Sequence, residues 1–276
     1  MHRHQTLICC FALVALGSTT VACGGDSNDS PAPASSTPAA SSAAAGLPVV
    51  ALGDSEATGA GDPTGLGWVG RYARLLRTKL NVRADVTNLA MDGKTSAQLL
   101  ADVRSDPTTR RAVQKAQVVL LGIGGADYNT GDDAFAAGKC RAEACYEPVL
   151  RSFARNFDAT VAAIRKLRGS SNTVLRSITQ PNGMTGAEDV IPPFLKPVAT
   201  RIGVYQARTA NRSICQVMAK NEGRCIDVLE AFNGPHGTEN AYEKGLMNLE
   251  DCCYPSAKGQ QLMAELLFET GLAPVR

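Results

Sequence analysis

Short apolar runs alternate along this chain with longer amphipathic stretches. The apolar runs have the length of buried strands, and turn residues such as Gly53, Gly169 and Pro181 interrupt the pattern around them. The third run is the most apolar segment of the folded part. The segments predicted to be strands are Val49–Gly53, Val82–Leu89, Gln117–Ile123, Asn172–Ile178 and Arg224–Leu229.

The stretches between these runs carry apolar residues at helical spacing, as between Trp68 and Leu80. Strands that alternate with helices are typical of a parallel sheet covered by its crossover helices. The pattern therefore predicts a three-layer α/β/α sandwich with a five-stranded parallel sheet, in which ligands bind beyond the carboxyl ends of the strands. The segments predicted to be helices are Trp68–Leu80, Tyr146–Leu167, Pro197–Asn221 and Ser256–Thr270.

The first residues have the pattern of an export signal. Arg3 precedes an apolar run of about ten residues, Leu7 to Leu16, which is too short to span a bilayer. Thr20-Val21-Ala22-Cys23 resembles a bacterial lipobox, with Thr20 as a departure, so residues 1–22 are expected to be a signal peptide and Cys23 an acylated first residue. We expect a lipoprotein anchored to the outer face of the cytoplasmic membrane. Ordinary secretion of a cleaved protein is the alternative.

Residues 23–47 are dominated by Ser, Pro and Ala, and such a segment cannot bury enough apolar surface to offset its ordering entropy. We expect a flexible linker followed by one domain over residues 48–276. The formal net charge of +2 falls to +1 when Arg3 is removed, because 28 basic residues become 27 against 26 acidic ones. With no basic run in the chain, this balance argues against a nucleic-acid partner.

The chain has nine cysteines, of which Cys9 and Cys10 lie in the signal and Cys23 is the lipidation candidate. An even remainder in an exported domain predicts a disulfide framework. Local pairing favours Cys140–Cys145 and Cys215–Cys225. These two pairs leave Cys252 and Cys253, and a disulfide between adjacent cysteines is strained. One of the two local pairs is therefore open to doubt. Zinc is excluded because Cys-x2-Cys spacing is absent and almost no His accompanies the cysteines. No metal or other cofactor is expected.

Four sequence blocks resemble those of the SGNH, or GDSL, hydrolase family. Each follows a predicted strand or precedes the last predicted helix, and together they extend over nearly all of residues 48–270. The blocks are Val49-Val50-Ala51-Leu52-Gly53-Asp54-Ser55, Asn88-Leu89-Ala90-Met91-Asp92-Gly93-Lys94-Thr95, Leu121-Gly122-Ile123-Gly124-Gly125-Ala126-Asp127 and Asp251-Cys252-Cys253-Tyr254-Pro255-Ser256-Ala257-Lys258-Gly259.

The resemblance implies roles for three of these residues. Ser55 takes the position of the nucleophile, and Asp251 that of the carboxylate which orients the base. The backbone N–H groups of Ser55 and Gly93 take positions in the oxyanion hole. Acyl transfer needs these parts because a hydroxyl is a poor nucleophile until a base removes its proton, and the developing oxyanion needs fixed donors.

Two positions depart from the family pattern. Ala126 stands where the family has the oxyanion Asn, and Tyr254 stands where it has the His base. Losing one oxyanion donor costs about 100- to 1000-fold in rate. Losing the base of a triad costs about a millionfold, and a phenol is only about 0.1% ionised at neutral pH. Turnover through these positions is therefore expected to be low.

Other residues could stand in for the missing groups. His236, the only His after the signal, is a candidate substitute base on the rim beyond the fifth predicted strand. The alternative for it is a solvated loop histidine. Asn129 is a weaker candidate for the missing amide, and we expect Glu56, beside Ser55, to be solvated.

Two functions remain open from the sequence. The resemblance implies a serine ester hydrolase at the cell envelope, of the esterase, lipase or acylhydrolase class, acting on acyl esters of lipids or acetyl groups of wall sugars. The departures at Ala126 and Tyr254 favour a catalytically inactive module of the same fold that binds a glycan, a lipid or a partner protein.

Overall fold

The computed structural model describes residues 46–169, 171–250 and 253–273, which belong to one compact unit. Its first strand begins at Leu47, one residue before the predicted start of the domain. The predicted signal peptide, Cys23, nearly all of the linker, Asp251 and Cys252 lie outside the described residues. None of the helices in the described ranges is long and apolar enough to cross a membrane.

Five parallel strands form the central sheet, in the order β2-β1-β3-β4-β5. A short antiparallel pair, β6 and β7, lies apart from it. The predicted α/β fold with a five-stranded parallel sheet is confirmed. The strands are β1 Leu47–Gly53, β2 Ala84–Asn88, β3 Val118–Gly122, β4 Val174–Ile178, β5 Arg224–Ile226, β6 Met247–Asn248 and β7 Tyr254–Pro255.

Helices flank the sheet in two groups, in which α2 packs on α9 while α3, α4, α6 and α7 pack on one another. Short 3-10 turns also occur at Gly125–Tyr128, Ala142–Cys145 and Lys196–Val198. The helices are α1 Ser55–Thr58, α2 Gly67–Leu80, α3 Ser96–Ser105, α4 Pro107–Lys115, α5 Asn129–Ala136, α6 Glu147–Arg168, α7 Ala199–Lys220, α8 Val228–Asn233 and α9 Ala257–Glu269.

The strands β1, β3 and β4 form the core of the sheet. All residues of β3 and β4 are buried, as are the last five of β1, because helices cover the sheet on both faces. This is why these segments appear in the sequence as continuous apolar runs. At their carboxyl ends Gly53 pairs with Gly122, so the first and third sequence blocks meet at one edge.

The fifth strand is shorter than predicted, ending at Ile226 rather than Leu229. The reason is local, because the side chain of Asp227 accepts a hydrogen bond from the N–H of Glu230 at 3.0 Å and begins α8. Val228 and Leu229 are buried as helix residues, so their apolar character resembled a continuation of the strand.

The segment between β2 and β3 contains two helices that the sequence pattern did not predict. Helix α3 begins at a capping box, in which Thr95 accepts from the N–H of Gln98 and the Gln98 side chain accepts from the N–H of Thr95. Helix α4 has Asp106 as its N-cap and begins with Pro107, a residue that is favoured at the first helical position. These start signals are visible in the sequence.

The two local disulfides, Cys140–Cys145 and Cys215–Cys225, are both confirmed. From the sequence, one of these pairs was open to doubt because both together leave the adjacent Cys252 and Cys253. That doubt was wrong, since both pairs form. Cys253 is also disulfide-bonded. The Cys215–Cys225 bridge joins α7 to β5 and so ties the last crossover helix to the edge strand that follows it.

Candidate active site

Ser55 lies on a sharp turn between β1 and α1. Gly53 adopts a φ of +150°, and the N–H of Asp54 donates to the carbonyl oxygen of Gly122 at 3.0 Å. Asp54 then caps α1, so that Ser55 is the first helical residue. The turn places Ser55 beyond the carboxyl end of β1, at the edge of the sheet where ligands bind in such folds.

The carboxylate of Asp54 holds this turn against the end of β3. It accepts hydrogen bonds from the backbone N–H groups of Glu56 at 3.0 Å, Gly124 at 2.8 Å and Gly125 at 3.0 Å. Burial raises the pKa of Asp54 to about 6, against the lowering effect of these three donors. Asp54 thus acts as a fixed connection between the segment that carries Ser55 and the segment that carries Ala126.

A pocket of about 310 Å³ opens beside Ser55. The sequence-predicted site residues that line it are Ser55, Gly93, Ala126, Asn129 and Tyr254. They come from four separate segments, at the ends of β1, β2 and β3 and from β7. The structure therefore brings together the four blocks, as far as their residues are described.

Two backbone donors in this pocket are available to a ligand. In the described part of the chain, the N–H groups of Ser55 and Gly93 donate no hydrogen bond. Ser55 has no partner because it is the first residue of a helix. Gly93 has a φ of +73° in an open turn. Two such N–H groups are the donors that an oxyanion hole needs.

Ala126 lies in the 3-10 turn after β3 and also lines the pocket. Its neighbour Asp127 is turned to the other side, where it accepts from both the N–H and the hydroxyl of Ser96, at 2.9 and 2.5 Å. The turn is thus fixed by α3, and the side chain that it presents at this position is a methyl group. Ala126 therefore adds no side-chain donor to the pocket.

The position of the expected base is also in the pocket. Tyr254 is half-buried in β7, and a Cβ on Gly61 would lie only 2.6 Å from the Tyr254 Cβ, so the two segments are in close contact. His236 is exposed and is not among the residues that line the pocket. The carbonyl of Gly237, the residue after His236, accepts from the pocket-lining Asn182 at 2.9 Å, while the His236 side chain itself stays exposed. The described lining contains no imidazole.

Glu56 differs from the expectation of a solvated side chain. It lines the pocket but is only 7% exposed, and its carboxyl accepts from the amide of Gln180 at 3.0 Å. Burial, reinforced by the nearby Asp54 carboxylate, raises its pKa well above the ordinary 4.5. The interpretation from sequence missed this group because its partner lies 124 residues away in the chain.

Glu56→Gln is expected to stabilise the protein at alkaline pH. The folded state holds the Glu56 proton more tightly than the unfolded chain, so the free energy of unfolding falls as pH rises from about 4.5 toward the raised pKa. Glutamine has no proton to lose, so the variant does not show this fall in the free energy of unfolding. Urea unfolding at pH 5 and pH 8 measures it, with the exposed Glu269→Gln as the control. An unchanged pH dependence in Glu56→Gln would mean that Glu56 titrates normally.

Within the described ranges, no group of three or more His, Cys, Asp or Glu side chains is placed to hold a metal ion. The polar groups of the pocket are hydroxyls, amides and carboxyls instead. Ser55 contributes a hydroxyl to this lining, and the N–H groups of Ser55 and Gly93 add backbone donors.

Comparison with known proteins finds a family profile and a relative that match this sequence. The profile of the GDSL-like Lipase/Acylhydrolase family matches residues 51–262. An uncharacterized protein of Bacillus subtilis, YpmR, is 38% identical over 80 residues, which are 29% of this chain and 31% of that protein. This chain therefore matches about a third of the length of that relative.

Solved structures share the fold at low sequence identity. The lipase Lip_vut3 from a goat rumen metagenome superposes with a TM-score of 0.68 and 21% identity, over 83% of this chain and 99% of that one. A variant of Axe2, an acetyl-xylooligosaccharide esterase from Geobacillus, superposes with a TM-score of 0.55 and 20% identity, over 83% and 95% of the two chains. These likenesses show the fold.

Proposed function

Because the chain belongs to the GDSL-like lipase/acylhydrolase family, we propose that it is a serine ester hydrolase with slow turnover, in which Ser55 is the nucleophile. The observation that carries the proposal is the pocket beside Ser55, where the N–H groups of Ser55 and Gly93 are both without partners in the described structure. Lipases and a sugar acetyl esterase share the fold, so a carboxylic ester is the substrate class that the fold supports.

In the proposed reaction, the hydroxyl oxygen of Ser55 attacks the ester carbonyl carbon while a base takes the hydroxyl proton. The carbonyl oxygen becomes an oxyanion that accepts from the Ser55 and Gly93 N–H groups. Collapse expels the alcohol, which takes up a proton, and leaves an acyl-Ser55 that water then hydrolyses to the acid.

Slow turnover follows from two missing groups. The methyl group of Ala126 donates nothing to the oxyanion, and the described pocket offers Tyr254 rather than an imidazole at the position of the base. Asp251, which lies outside the described residues, takes the orienting role in the proposal. His236 is a poor substitute base, since it is exposed and lies outside the pocket lining.

The second candidate is a binding module that uses the same pocket without turnover. The lack of an imidazole in the described lining favours it. The two candidates differ in the reactivity of the Ser55 hydroxyl. A hydrolase with even a weak base activates this hydroxyl toward electrophiles such as fluorophosphonates, whereas a serine with no base stays unreactive.

Labelling by a fluorophosphonate probe is expected for the unaltered protein and is expected to be abolished by Ser55→Ala. The probe bonds to an activated serine oxygen, so it reports the nucleophile directly and needs no knowledge of the substrate. Labelling is followed by in-gel fluorescence over pH 6 to 9, with the exposed Ser105→Ala as the matched control. Absence of labelling throughout that range would overturn the hydrolase and leave the binding module.

We further propose that the protein acts outside the cytoplasmic membrane, anchored through acylation of Cys23 and a linker that ends at residue 47. The basic start, the short apolar run and the lipobox-like segment support this placement. An anchor of this type would hold the pocket near lipid and cell-wall esters. The disulfides Cys140–Cys145 and Cys215–Cys225 fit an oxidising compartment.

A further inference from the structure

Two polar atoms at the pocket are buried without partners. Of all side-chain N and O atoms in the described part of the chain, only the Tyr128 hydroxyl and the Gln206 Nε2 are both buried and unpaired. Both residues line the pocket that holds Ser55. They approach it from different elements, Tyr128 from the 3-10 turn after β3 and Gln206 from α7.

Such atoms are rare, because nearly all buried polar groups in folded proteins have a hydrogen-bond partner. An unpaired group weakens the folded state, and when it is found at a pocket the missing partner points to a ligand. Gln206 is only 4% exposed and sits on a helix that buries its neighbours Gly203 and Ala207. Packing of α7 thus fixes the backbone of Gln206 at the wall of the pocket.

The chemistry of the two groups restricts the ligand. The Gln206 Nε2 only donates, so it needs an acceptor, while a tyrosine hydroxyl both donates and accepts. An alkyl chain would leave both groups unpaired, and a cation offers Gln206 no acceptor. A neutral hydroxyl suits either group, since it can accept from Gln206 and can exchange a hydrogen bond with Tyr128.

The surrounding charge disfavours an anion. The carboxylates of Asp127 and Asp54 lie near Tyr128 and, after burial itself, are among the causes that raise the pKa of its hydroxyl. A negative ligand at Tyr128 would meet the same repulsion. Gln180, which also lines the pocket, already donates to Glu56 and to the carbonyl of Ile123 at 3.0 and 3.2 Å, so its amide N–H groups are not free for an anion.

We propose that Gln206 and Tyr128 form a polar subsite that binds a neutral, hydroxyl-bearing group of the ester substrate, of the kind that a sugar ring presents. This assignment rests on the proposed function, because it takes the bound group to be part of the ester that Ser55 attacks. Both atoms are nearly covered, so ligand binding includes a turn of the Gln206 amide about its last side-chain torsion, which is a soft one.

Binding to a protein that cannot react tests the subsite. In the full chain carrying Ser55→Ala, methyl β-xyloside is expected to bind, and adding Gln206→Leu or Tyr128→Phe is expected to raise its Kd about tenfold. The matched ligand 2-methoxytetrahydropyran has the ring and its two ether acceptors without the hydroxyls, and its weaker binding is expected to change less than that of the xyloside on either substitution. Titrations followed by NMR give the Kd values, with Tyr205→Phe, outside the pocket lining, as the control variant.

Thermal unfolding of the same variants separates the subsite from a structural role. Neither substitution removes a hydrogen bond of the free protein, so the Tm is expected to stay equal or to rise. Equal xyloside Kd values in all the variants, or a preference for 2-methoxytetrahydropyran, would overturn the subsite. If the xyloside arm succeeds while the fluorophosphonate probe labels nothing, the hydrolase fails and the subsite stands as part of a binding module.

Discussion

Changing Tyr254 to His and Ala126 to Asn in one protein is expected to raise kcat/KM for an acetate ester by at least about a thousandfold. The His supplies a base with a pKa near neutrality, where a phenol is almost fully protonated. The Asn supplies the donor that the methyl group of Ala126 lacks. Both positions already line the pocket with Ser55.

The size of the gain follows from typical losses at such sites. One oxyanion donor is worth about 100- to 1000-fold, and a triad base about a millionfold. Groups that act as a unit do not add, so the Asn alone is expected to do little while the base is missing. The His alone should give most of the gain, and the two together should give more than the product of the single changes.

The controls separate a rebuilt site from a general effect of histidine. Adding Ser55→Ala should return the rate of the double variant to the background, and Tyr205→His, which introduces an imidazole outside the pocket lining, should leave the original rate unchanged. Rates are measured with an acetate ester over pH 6 to 9, where the gain should follow the titration of one imidazole. No gain in the double variant would mean that more of the site has diverged than these two positions.

The positions of the strands along the chain were predictable from the sequence because they follow from burial. The runs at β1 and β3 are apolar throughout since both faces of the sheet are covered. Helix and strand boundaries that depend on one capping side chain were harder to predict. Asp227 ends β5 three residues early by capping a helix, and the capping box at Thr95 begins a helix in a segment without a strong apolar stripe.

The gathering of site residues was also predictable, because parallel strands end at one edge of the sheet. Ser55, Gly93 and Ala126 follow three such strands, and all line the pocket. The environment of Glu56 was not predictable, because its burial depends on Gln180 from a distant segment. His236 follows the fifth strand as well, but its loop is held by Asn182 and leaves the ring exposed.

Gly53→Ala is expected to remove most of the stability of the domain, by more than about 4 kcal/mol. Gly53 has a φ of +150°, and a Cβ there would lie 1.7 Å from the carbonyl oxygen of Gly122. That oxygen accepts from the N–H of Asp54, so neither strand can retreat without opening the turn that carries Ser55. A whole domain is stable by only about 5–15 kcal/mol. Soluble yield and urea unfolding measure the loss.

Gly65→Ala is the matched control, because it separates backbone strain from the clash. Gly65 has a φ of +67°, but a Cβ there meets nothing within 4 Å, so the substitution should lower the free energy of unfolding by only about 1–2 kcal/mol. The difference between the two variants measures the close approach of β1 and β3 at the end of the sheet. If both variants unfold at similar urea concentrations, the two strands are not in contact at Gly53. The fixed position of Ser55 would then need another cause.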